Sequence, residues 1–222
     1  MSSQGYNNSL SVTVDIVIFT IREGELKVLL VKRALDPFKG VWAIPGGFVR
    51  NSESLENAAK RELEEETGVK NVYLEQLYTF GDVKRDPRGR VITTAYLALV
   101  NSDSFSLRAS TDVSEAKLFS VSELPKLAFD HREIMGYALK RLKWKFEYTT
   151  VAFSMLPKEF TMGQLQGIYE VVFSREFDKR NFAKKIRSLG LLKEEKVKRE
   201  VSYRPPKLYS LNKKIGEIVE IL

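Results

Sequence analysis

Three glutamates in the first third of the chain have a spacing that could hold a metal ion. Glu62, Glu65 and Glu66 lie in a segment, residues 54–67, whose apolar residues recur at three- and four-residue steps. This spacing predicts a helix that ends at Gly68. Positions i, i+3 and i+4 share one face of a helix, so the three carboxylates are expected side by side. A hard divalent cation such as Mg²⁺ or Mn²⁺ would offset their repulsion, and a solvated acidic surface is the alternative.

The residues around the glutamates could complete such a site. Arg61 can form an ion pair with Glu53, and Gly46 and Gly47 allow a backbone carbonyl to approach the carboxylates. From Gly47 to Val69 the chain matches G-x5-E-x7-R-E-U-x-E-E-x-G-U, with U an aliphatic residue, at all nine specified positions. This pattern resembles the Nudix box, the signature of hydrolases that act on a nucleoside diphosphate linked to another group.

The Nudix resemblance implies a set of ligands for Mg²⁺ or Mn²⁺. These ligands would be three carboxylates and one backbone carbonyl: Glu62, Glu65, Glu66 and Gly47. The pair of Arg61 and Glu53 would hold the loop before the helix. Bound divalent ions offset phosphate charge and lower the pKa of an attacking water. In many relatives the general base is a glutamate on a loop after the box; Glu115 and Asp112 are the nearest candidates here, with a plain surface position as the alternative for both.

Segments on both sides of the box extend the resemblance to the ADP-ribose pyrophosphatase branch. The matching segments are residues 29–33, 37–49 and 85–90. Four arginines in or beside them could bind phosphate or ribose oxygens: Arg33, Arg85, Arg88 and Arg90. A solvated loop rich in arginine is the equal alternative. Trp42 and Phe38 could stack on adenine, although core packing is the more conservative interpretation.

Composition excludes several other classes of site. The chain contains no cysteine, which excludes a disulfide framework, a thiolate zinc site and a cysteine nucleophile. Its one histidine, His131, excludes a multi-histidine metal site, and helix capping or a local hydrogen bond is expected for it rather than catalysis. The apolar segments are too short to cross a bilayer, and the first nine residues do not resemble a signal peptide. A soluble, cytoplasmic protein is therefore expected.

The net charge of +7 over 222 residues is concentrated near the end of the chain. Residues 1–173 contain 22 basic and 22 acidic side chains, whereas residues 174–214 contain 14 basic and 5 acidic. This asymmetry favours a segment that binds a polyanion such as nucleic acid. A solvated basic surface is the alternative.

The elements that must position these residues follow from hydrophobic periodicity. Strands are expected at residues 12–18, 26–31, 72–80, 91–100 and 116–120, and helices at 54–67 and 130–142. The pattern restarts near residues 145–149, which predicts two domains, 1–146 and 147–222. The Nudix resemblance implies an α/β/α sandwich with a mixed sheet for the first of them.

The second domain has the pattern of a winged helix-turn-helix. Thr161 and Gln164 predict a capping box at the start of one helix, and Asp178 can cap a second, shorter helix. A charged ribbon of two strands follows around residues 193–207. The apolar residues of segment 215–222 predict a last short amphipathic helix.

Two sets of side chains are candidate DNA contacts. The second helix contributes a set suited to the major groove: Lys179, Arg180, Asn181, Lys184, Lys185 and Arg187. The ribbon contributes a set suited to phosphates: Lys193, Lys196, Lys198, Arg199 and Arg204. Asn181 could contact an adenine edge, or it could equally cap the helix or face solvent.

The order of the two domains resembles the NrtR family of Nudix-related transcriptional regulators. The matching stretches of the second domain are residues 160–166, 178–182, 189–192 and 204–209. The resemblance implies a homodimer whose Nudix domain binds ADP-ribose or a sugar-type ligand and alters binding to a double-stranded DNA operator. Many members sense without hydrolysing and have degraded boxes, whereas the box here is intact. A sensor without hydrolase activity and a plain ADP-ribose pyrophosphatase whose second domain serves dimerisation remain alternatives.

Overall fold

The computed structural model describes residues 10–68, 70, 72–102, 113–195 and 206–222. The first part of the chain contains the strands and helices β1 (Ser11–Arg22), β2 (Glu25–Arg33), β3 (Trp42–Ala43), β4 (Gly46–Phe48), α1 (Leu55–Thr67), β5 (Tyr73–Phe80), β6 (Val91–Leu99), β7 (Val113–Ser120) and α2 (His131–Tyr148). The second part contains a 3-10 helix (Thr150–Met155), β8 (Phe160–Thr161), α3 (Met162–Phe173), α4 (Lys179–Ser188), β9 (Leu192–Glu195) and β10 (Leu208–Leu211).

Strand β1 lies at the centre of a seven-stranded mixed sheet. It pairs in parallel with β6 along one edge, and antiparallel with β2 and β4 along the other. Its residues 13–20 are all buried, as expected of a strand covered on both faces. Helix α1 covers one face through Ala58, Ala59 and Leu63, and α2 packs on the other face through Ile134 and Ala138. The predicted α/β/α sandwich with a mixed sheet is confirmed.

Helix α1 begins and ends where its sequence signals place it. The Ser54 side chain accepts a hydrogen bond from the Asn57 backbone N–H, which satisfies a free donor of the first turn. Gly68 ends the helix in the left-handed region, with φ of 68°. The helix that carries the three glutamates is therefore fixed at both ends by its own local sequence.

The second part of the chain is a winged helix-turn-helix. Thr161 and Gln164 form the predicted capping box of α3, and the Asp178 side chain caps α4 by accepting from the Asn181 N–H. The three strands β8, β10 and β9 form a small antiparallel sheet in that order beside the helices. Phe182 and Ile186 bury the inner face of α4. The predicted fold of the second domain is confirmed.

Helix α2 belongs to the packing of both parts of the chain. It continues to Tyr148 rather than ending at residue 142 as predicted, so the predicted boundary after residue 146 falls in its last turn. One hydrophobic core runs from the sheet through Leu142 and Phe146 to Tyr169 of α3. The Tyr169 hydroxyl donates a hydrogen bond to the Phe146 carbonyl at 3.2 Å. The division into residues 1–146 and 147–222 stays a prediction.

The predicted amphipathic helix at residues 215–222 is wrong. This segment is extended, and the N–H groups of Val219 and Ile221 donate to the carbonyls of Tyr148 and Glu147 at the end of α2. The last carbonyls of a helix have no partner within the helix, so they offer the segment a better set of hydrogen bonds than a short helix of its own would. Ile221 is fully buried, whereas Ile218 is 79% exposed.

A helix that spans a bilayer needs about 20 consecutive, predominantly apolar residues. Among these residues, no helix is both long enough and apolar enough to cross a bilayer.

Candidate active site and DNA interface

A cavity of about 440 Å³ opens beside α1, and its wall contains the three glutamates predicted to hold a metal ion, Glu62, Glu65 and Glu66. The remaining wall comes from β1, the end of β2, the segment around β3 and β4, residues 85–88, and the start of α2. Glu62 and Glu66 are buried, whereas the Glu65 side chain is 44% exposed. Helix α1 therefore presents to one cavity the three carboxylates that the helical spacing predicted on one face.

Arg61 lies between the acidic residues and holds the loop before α1. Its Nε and Nη2 atoms donate to the two carboxylate oxygens of Glu53 at 3.1 and 2.8 Å, so the predicted ion pair is present. The same guanidinium donates from Nη1 to Glu62 at 2.6 Å and to Glu65 at 3.4 Å. The hydrogen bond from Arg61, supported by the Arg50 N–H, lowers the pKa of Glu53 to about 2.

The environment of Glu62 disfavours a negative charge on its carboxyl group. Burial raises the pKa of Glu62, while the hydrogen bond from Arg61 acts in the opposite direction. A buried carboxylate of this kind gains from a nearby positive charge, and Arg61 supplies one here. A metal ion bound at the same place would supply a stronger one.

The oxygen atoms of the glutamate carboxylates and of the Gly47 carbonyl are of the kind that binds a hard divalent cation. A Cβ placed on Gly47 would lie 2.8 Å from Glu62 Cδ, so the absence of a side chain is what allows the Gly47 backbone to approach the carboxylate. Carboxylate and carbonyl oxygens are the ligands that Mg²⁺ and Mn²⁺ take. Within the described residues no three acidic or histidine side chains are already grouped as a ready metal site, and Arg61 takes up one Glu62 oxygen.

The structure does not bring the candidate general base Glu115 to the cavity. Glu115 lies on β7 opposite Lys32, with 3.6 Å between the Lys32 Nζ and a Glu115 carboxylate oxygen, and its side chain is half exposed. It is absent from the cavity wall. Asp112 lies outside the described residues. A role for Glu115 as base stays a prediction that this position does not support.

The four candidate ligand arginines have different surroundings. Arg33 and Arg88 lie in the cavity wall; Arg33 Nε donates to the Pro37 carbonyl at 2.8 Å, and Arg88 donates from Nε and Nη2 to the Asp86 carboxylate at 3.0 and 2.7 Å. Arg85 also lines the cavity, but it is buried and donates two hydrogen bonds of 2.8 Å to Asp130. Arg90 lies outside the cavity wall and donates to the carbonyls of residues 81 and 82. Each of the four guanidinium groups thus already has an acceptor within the protein; Arg33, Arg85 and Arg88 line the cavity and Arg90 does not, and all four assignments stay predictions.

Two aromatic residues of the cavity wall, Phe48 and Phe129, were not predicted from the sequence. Phe48 is 46% exposed, and the Arg88 guanidinium lies 5.1 Å from its ring centre and 5.5 Å from that of Phe129. Arg33 lies 4.9 Å from the Phe129 ring. Phe129 and its ring neighbour Phe38 both have positive φ, of 51° and 67°, which is uncommon for bulky residues and often marks a functional site. Phe48 could have been found from the sequence, because it directly follows Gly47 of the box. No feature of the sequence pointed to Phe129.

Trp42 has the role that the conservative interpretation gave it, whereas His131 does not. Trp42 is partly buried and packs edge to face on Phe119, with ring centres 4.7 Å apart, so core packing is confirmed. His131 is buried and accepts a hydrogen bond at Nδ1 from the Ile44 N–H at 2.9 Å. The expectation of helix capping or a local hydrogen bond is wrong, because the partner of His131 is Ile44, 87 residues away in the sequence.

Helix α4 presents the predicted set of polar and basic side chains to solvent. The exposed members are Lys179, Arg180, Asn181, Lys184, Lys185 and Arg187. Four of the five candidate DNA contacts on the ribbon lie outside the described residues: Lys196, Lys198, Arg199 and Arg204. Lys193 is exposed on β9 and pairs with Glu195. A basic surface on α4 is thus available for a polyanion, and the individual DNA contacts stay predictions.

Comparisons with known proteins match both parts of the chain. The family model of the NUDIX domain matches residues 10–142, and that of the NrtR DNA-binding winged helix domain matches residues 152–211. The ADPR responsive transcriptional repressor NtrR of Acinetobacter baylyi is 36% identical over 200 residues, which cover 89% of this chain and 80% of that protein. The ADP-ribose pyrophosphatase of Methanocaldococcus jannaschii is 41% identical over 135 residues, 61% of this chain and 75% of that protein. A crystal structure of Shewanella oneidensis NrtR with a 27mer DNA superposes with a TM-score of 0.78 at 36% identity, covering 90% of this chain and 93% of that one.

Proposed function

The chain belongs to the Nudix family, in its NrtR group with a DNA-binding winged helix, and from this premise we propose that it is a transcriptional regulator that binds and hydrolyses ADP-ribose or a closely related nucleotide. The observation that carries the proposal is the joining of two sites by one helix. Helix α2 begins in the wall of the acidic cavity and ends in the core that supports α3 and α4. Ligand binding and DNA binding thus share one packed core.

Hydrolysis would depend on a divalent cation, with Mg²⁺ as the proposed ion and Mn²⁺ as the alternative. Glu62, Glu65, Glu66 and the Gly47 carbonyl would hold it. When bound, the ion offsets phosphate charge and lowers the pKa of a water. Arg61 and Glu53 keep the loop before α1 in place. Water adds to one phosphorus, the bond from that phosphorus to the bridging oxygen breaks, and a proton is released. The products from ADP-ribose are AMP and ribose 5-phosphate.

The rest of the cavity suits the remaining parts of such a ligand. Arg33 and Arg88 would bind phosphate or ribose oxygens by exchanging their present acceptors, the Pro37 carbonyl and the Asp86 carboxylate, for those of the ligand. Phe48 and Phe129 present aromatic surface next to these arginines, where a nucleobase can stack. An aromatic ring and a pyrophosphate in one ligand are the combination that ADP-ribose offers.

The winged helix would bind double-stranded DNA as part of a cytoplasmic homodimer. The exposed side chains of α4 favour entry into the major groove, and its basic members favour phosphate contacts. A dimer would place two copies of α4 on two half-sites of an operator. The length of the match to the DNA-bound Shewanella oneidensis NrtR supports this arrangement.

The experiment that tests the proposal measures both activities in the same preparation. A panel that contains ADP-ribose and other nucleoside diphosphate derivatives is incubated with Mg²⁺ or Mn²⁺, and the products are separated by chromatography. DNA duplexes selected from a random library are then assayed by mobility shift with and without each ligand. We expect AMP release from ADP-ribose and a ligand-dependent change in DNA affinity.

The two alternatives give different results in this experiment. Ligand-tuned DNA binding without turnover would support a sensor that does not hydrolyse. Turnover with weak, unselective DNA binding at physiological salt would support a plain pyrophosphatase whose second domain serves dimerisation. Absence of both activities would contradict the proposal as a whole.

A further inference from the structure

The only histidine of the chain lies in the cavity wall, at the first position of α2. His131 is 4% exposed, and its Nδ1 accepts the 2.9 Å hydrogen bond from the Ile44 N–H. Ile44 is itself buried and lies in the short connection between β3 and β4. This connection leads directly into Gly46 and Gly47. The histidine therefore holds the segment that carries the box glycines from the side opposite α1.

The second ring nitrogen of His131 faces the strand that pairs with the same segment. Because Nδ1 accepts a hydrogen bond, a neutral His131 carries its proton on Nε2. Nε2 lies 3.6 Å from Asp15 Oδ1. Asp15 is buried on β1, and it is the register partner of Gly46. One imidazole thus contacts both the connection before β4 and the strand against which β4 is paired.

The segment leaves little space for movement. A Cβ placed on Gly46 would lie 2.7 Å from Asp15 Oδ1, so the backbone of β4 packs directly on this carboxylate. The next residue, Gly47, approaches Glu62 in the same way on the other side. A shift of Asp15 or of Ile44 would therefore be passed to the backbone of Gly47.

Other charged groups hold Asp15 and the start of α2 in place. Arg85 donates to Asp130 and lies 3.4 Å from the second Asp15 oxygen. Asp130 precedes α2 but makes no capping hydrogen bond with its side chain, because its carboxylate is engaged by Arg85. Arg85 thus holds in place both Asp15, beside the His131 ring, and Asp130, the residue before it.

We propose that His131 is a positioning residue for the Nudix site: through Ile44 and Asp15 it sets the β3–β4 connection, so that the Gly47 backbone lies against Glu62. It acts through these neighbours and does not take a proton from water, because Nδ1 already accepts from the Ile44 N–H and Nε2 carries the proton of the neutral ring. The inference rests on the proposed metal-dependent function for its consequence, although its geometry is independent of that function.

The tautomer can be tested directly on the wild-type protein. With a purification tag free of histidine, a long-range ¹H–¹⁵N NMR spectrum contains one imidazole only, since the chain has one histidine. We expect a neutral ring with the proton on Nε2 and an unprotonated Nδ1 at pH 7. A ring protonated at Nδ1, in either the neutral or the charged form, would overturn the proposal.

Two substitutions separate positioning from a general structural role. In His131→Asn the amide oxygen can stand at the place of Nδ1 and accept from Ile44, whereas in His131→Gln the amide reaches the place of Nε2 instead. We expect Mn²⁺ affinity, measured by EPR, to fall about tenfold or more in His131→Gln and to be largely retained in His131→Asn. Thermal melts of both variants report whether they fold.

The outcomes distinguish this inference from the proposed function. Equal Mn²⁺ affinity in wild type and both variants, or equal loss in two folded variants, would overturn the positioning role. If wild-type protein bound neither Mn²⁺ nor ADP-ribose, the proposed function would fail. The tautomer measurement would then still decide whether His131 holds the connection as described.

Discussion

Replacing Gly47 with alanine should expel the Glu62 carboxylate from its position while leaving the fold intact. A Cβ at position 47 would lie 2.8 Å from Glu62 Cδ and closer still to one carboxylate oxygen. Ordinary contacts between carbon atoms are about 3.5–4.0 Å, so the carboxyl group must move by about 1 Å. The obstructing atoms are at the far end of a flexible side chain, which can rotate away at small cost in stability.

The expected functional loss follows from the size of this movement. A displacement of about 1 Å in a catalytic arrangement can lower the rate about a hundredfold. We therefore expect kcat/KM for ADP-ribose hydrolysis with Mg²⁺ to fall by about that factor in Gly47→Ala. The melting temperature should stay close to that of the wild type, because Gly47 is not in the left-handed region and the backbone accepts alanine.

A matched glycine in α2 provides the control for this prediction. A Cβ on Gly136 would meet nothing within 4 Å, so Gly136→Ala should keep its activity and gain up to about 1 kcal/mol of stability from helix propensity. A folded Gly47→Ala protein with wild-type turnover would refute the argument that the Gly47 backbone and Glu62 form one site.

Three further changes test other parts of the molecule. Glu65→Gln combined with Glu66→Gln should abolish metal-dependent AMP release without unfolding the protein, and circular dichroism alongside product chromatography checks both. Burial lowers the pKa of His131 below its usual 6.5, so as the pH falls below 6.5 the unfolded state binds a proton that the folded state does not. Denaturation between pH 5 and 8 should therefore show the free energy of unfolding falling, from this group, by at most about 1.4 kcal/mol per pH unit. His131→Asn should remove this contribution to the pH dependence. Lys184→Ala should lower the slope of log DNA affinity against log salt by about 1 if it contacts a phosphate, whereas Lys60→Ala, on α1, should not.

The parts of the fold set by local sequence were predicted well. The ends of α1 follow from Ser54 and Gly68, and the starts of α3 and α4 follow from the caps at Thr161 and Asp178, because a cap is made by residues a few positions apart. The box carboxylates were predictable for a related reason. Helical spacing and a long motif place them together without knowledge of the rest of the fold.

Features that depend on distant contacts were not predictable from local patterns. The tail at residues 215–222 has apolar spacing compatible with a helix, but the free carbonyls at the end of α2 favour an extended segment. Arg85 has the chemistry of a phosphate ligand, yet Asp130, 45 residues away, engages its guanidinium. Phe129 and the Ile44 contact of His131 reach the cavity only because the sheet brings the start of α2 beside β3.

The central claim is that one chain couples a nucleotide cavity to a DNA-binding surface through α2, and reciprocal binding measurements test it most directly. DNA affinity is measured by fluorescence anisotropy with and without saturating ADP-ribose. EDTA is present so that hydrolysis does not consume the ligand. ADP-ribose affinity is then measured with and without saturating DNA. We expect both dissociation constants to change by the same factor, about 5- to 150-fold, since coupling between two sites is reciprocal. ADP-ribose that binds tightly yet leaves DNA affinity unchanged would contradict the claim.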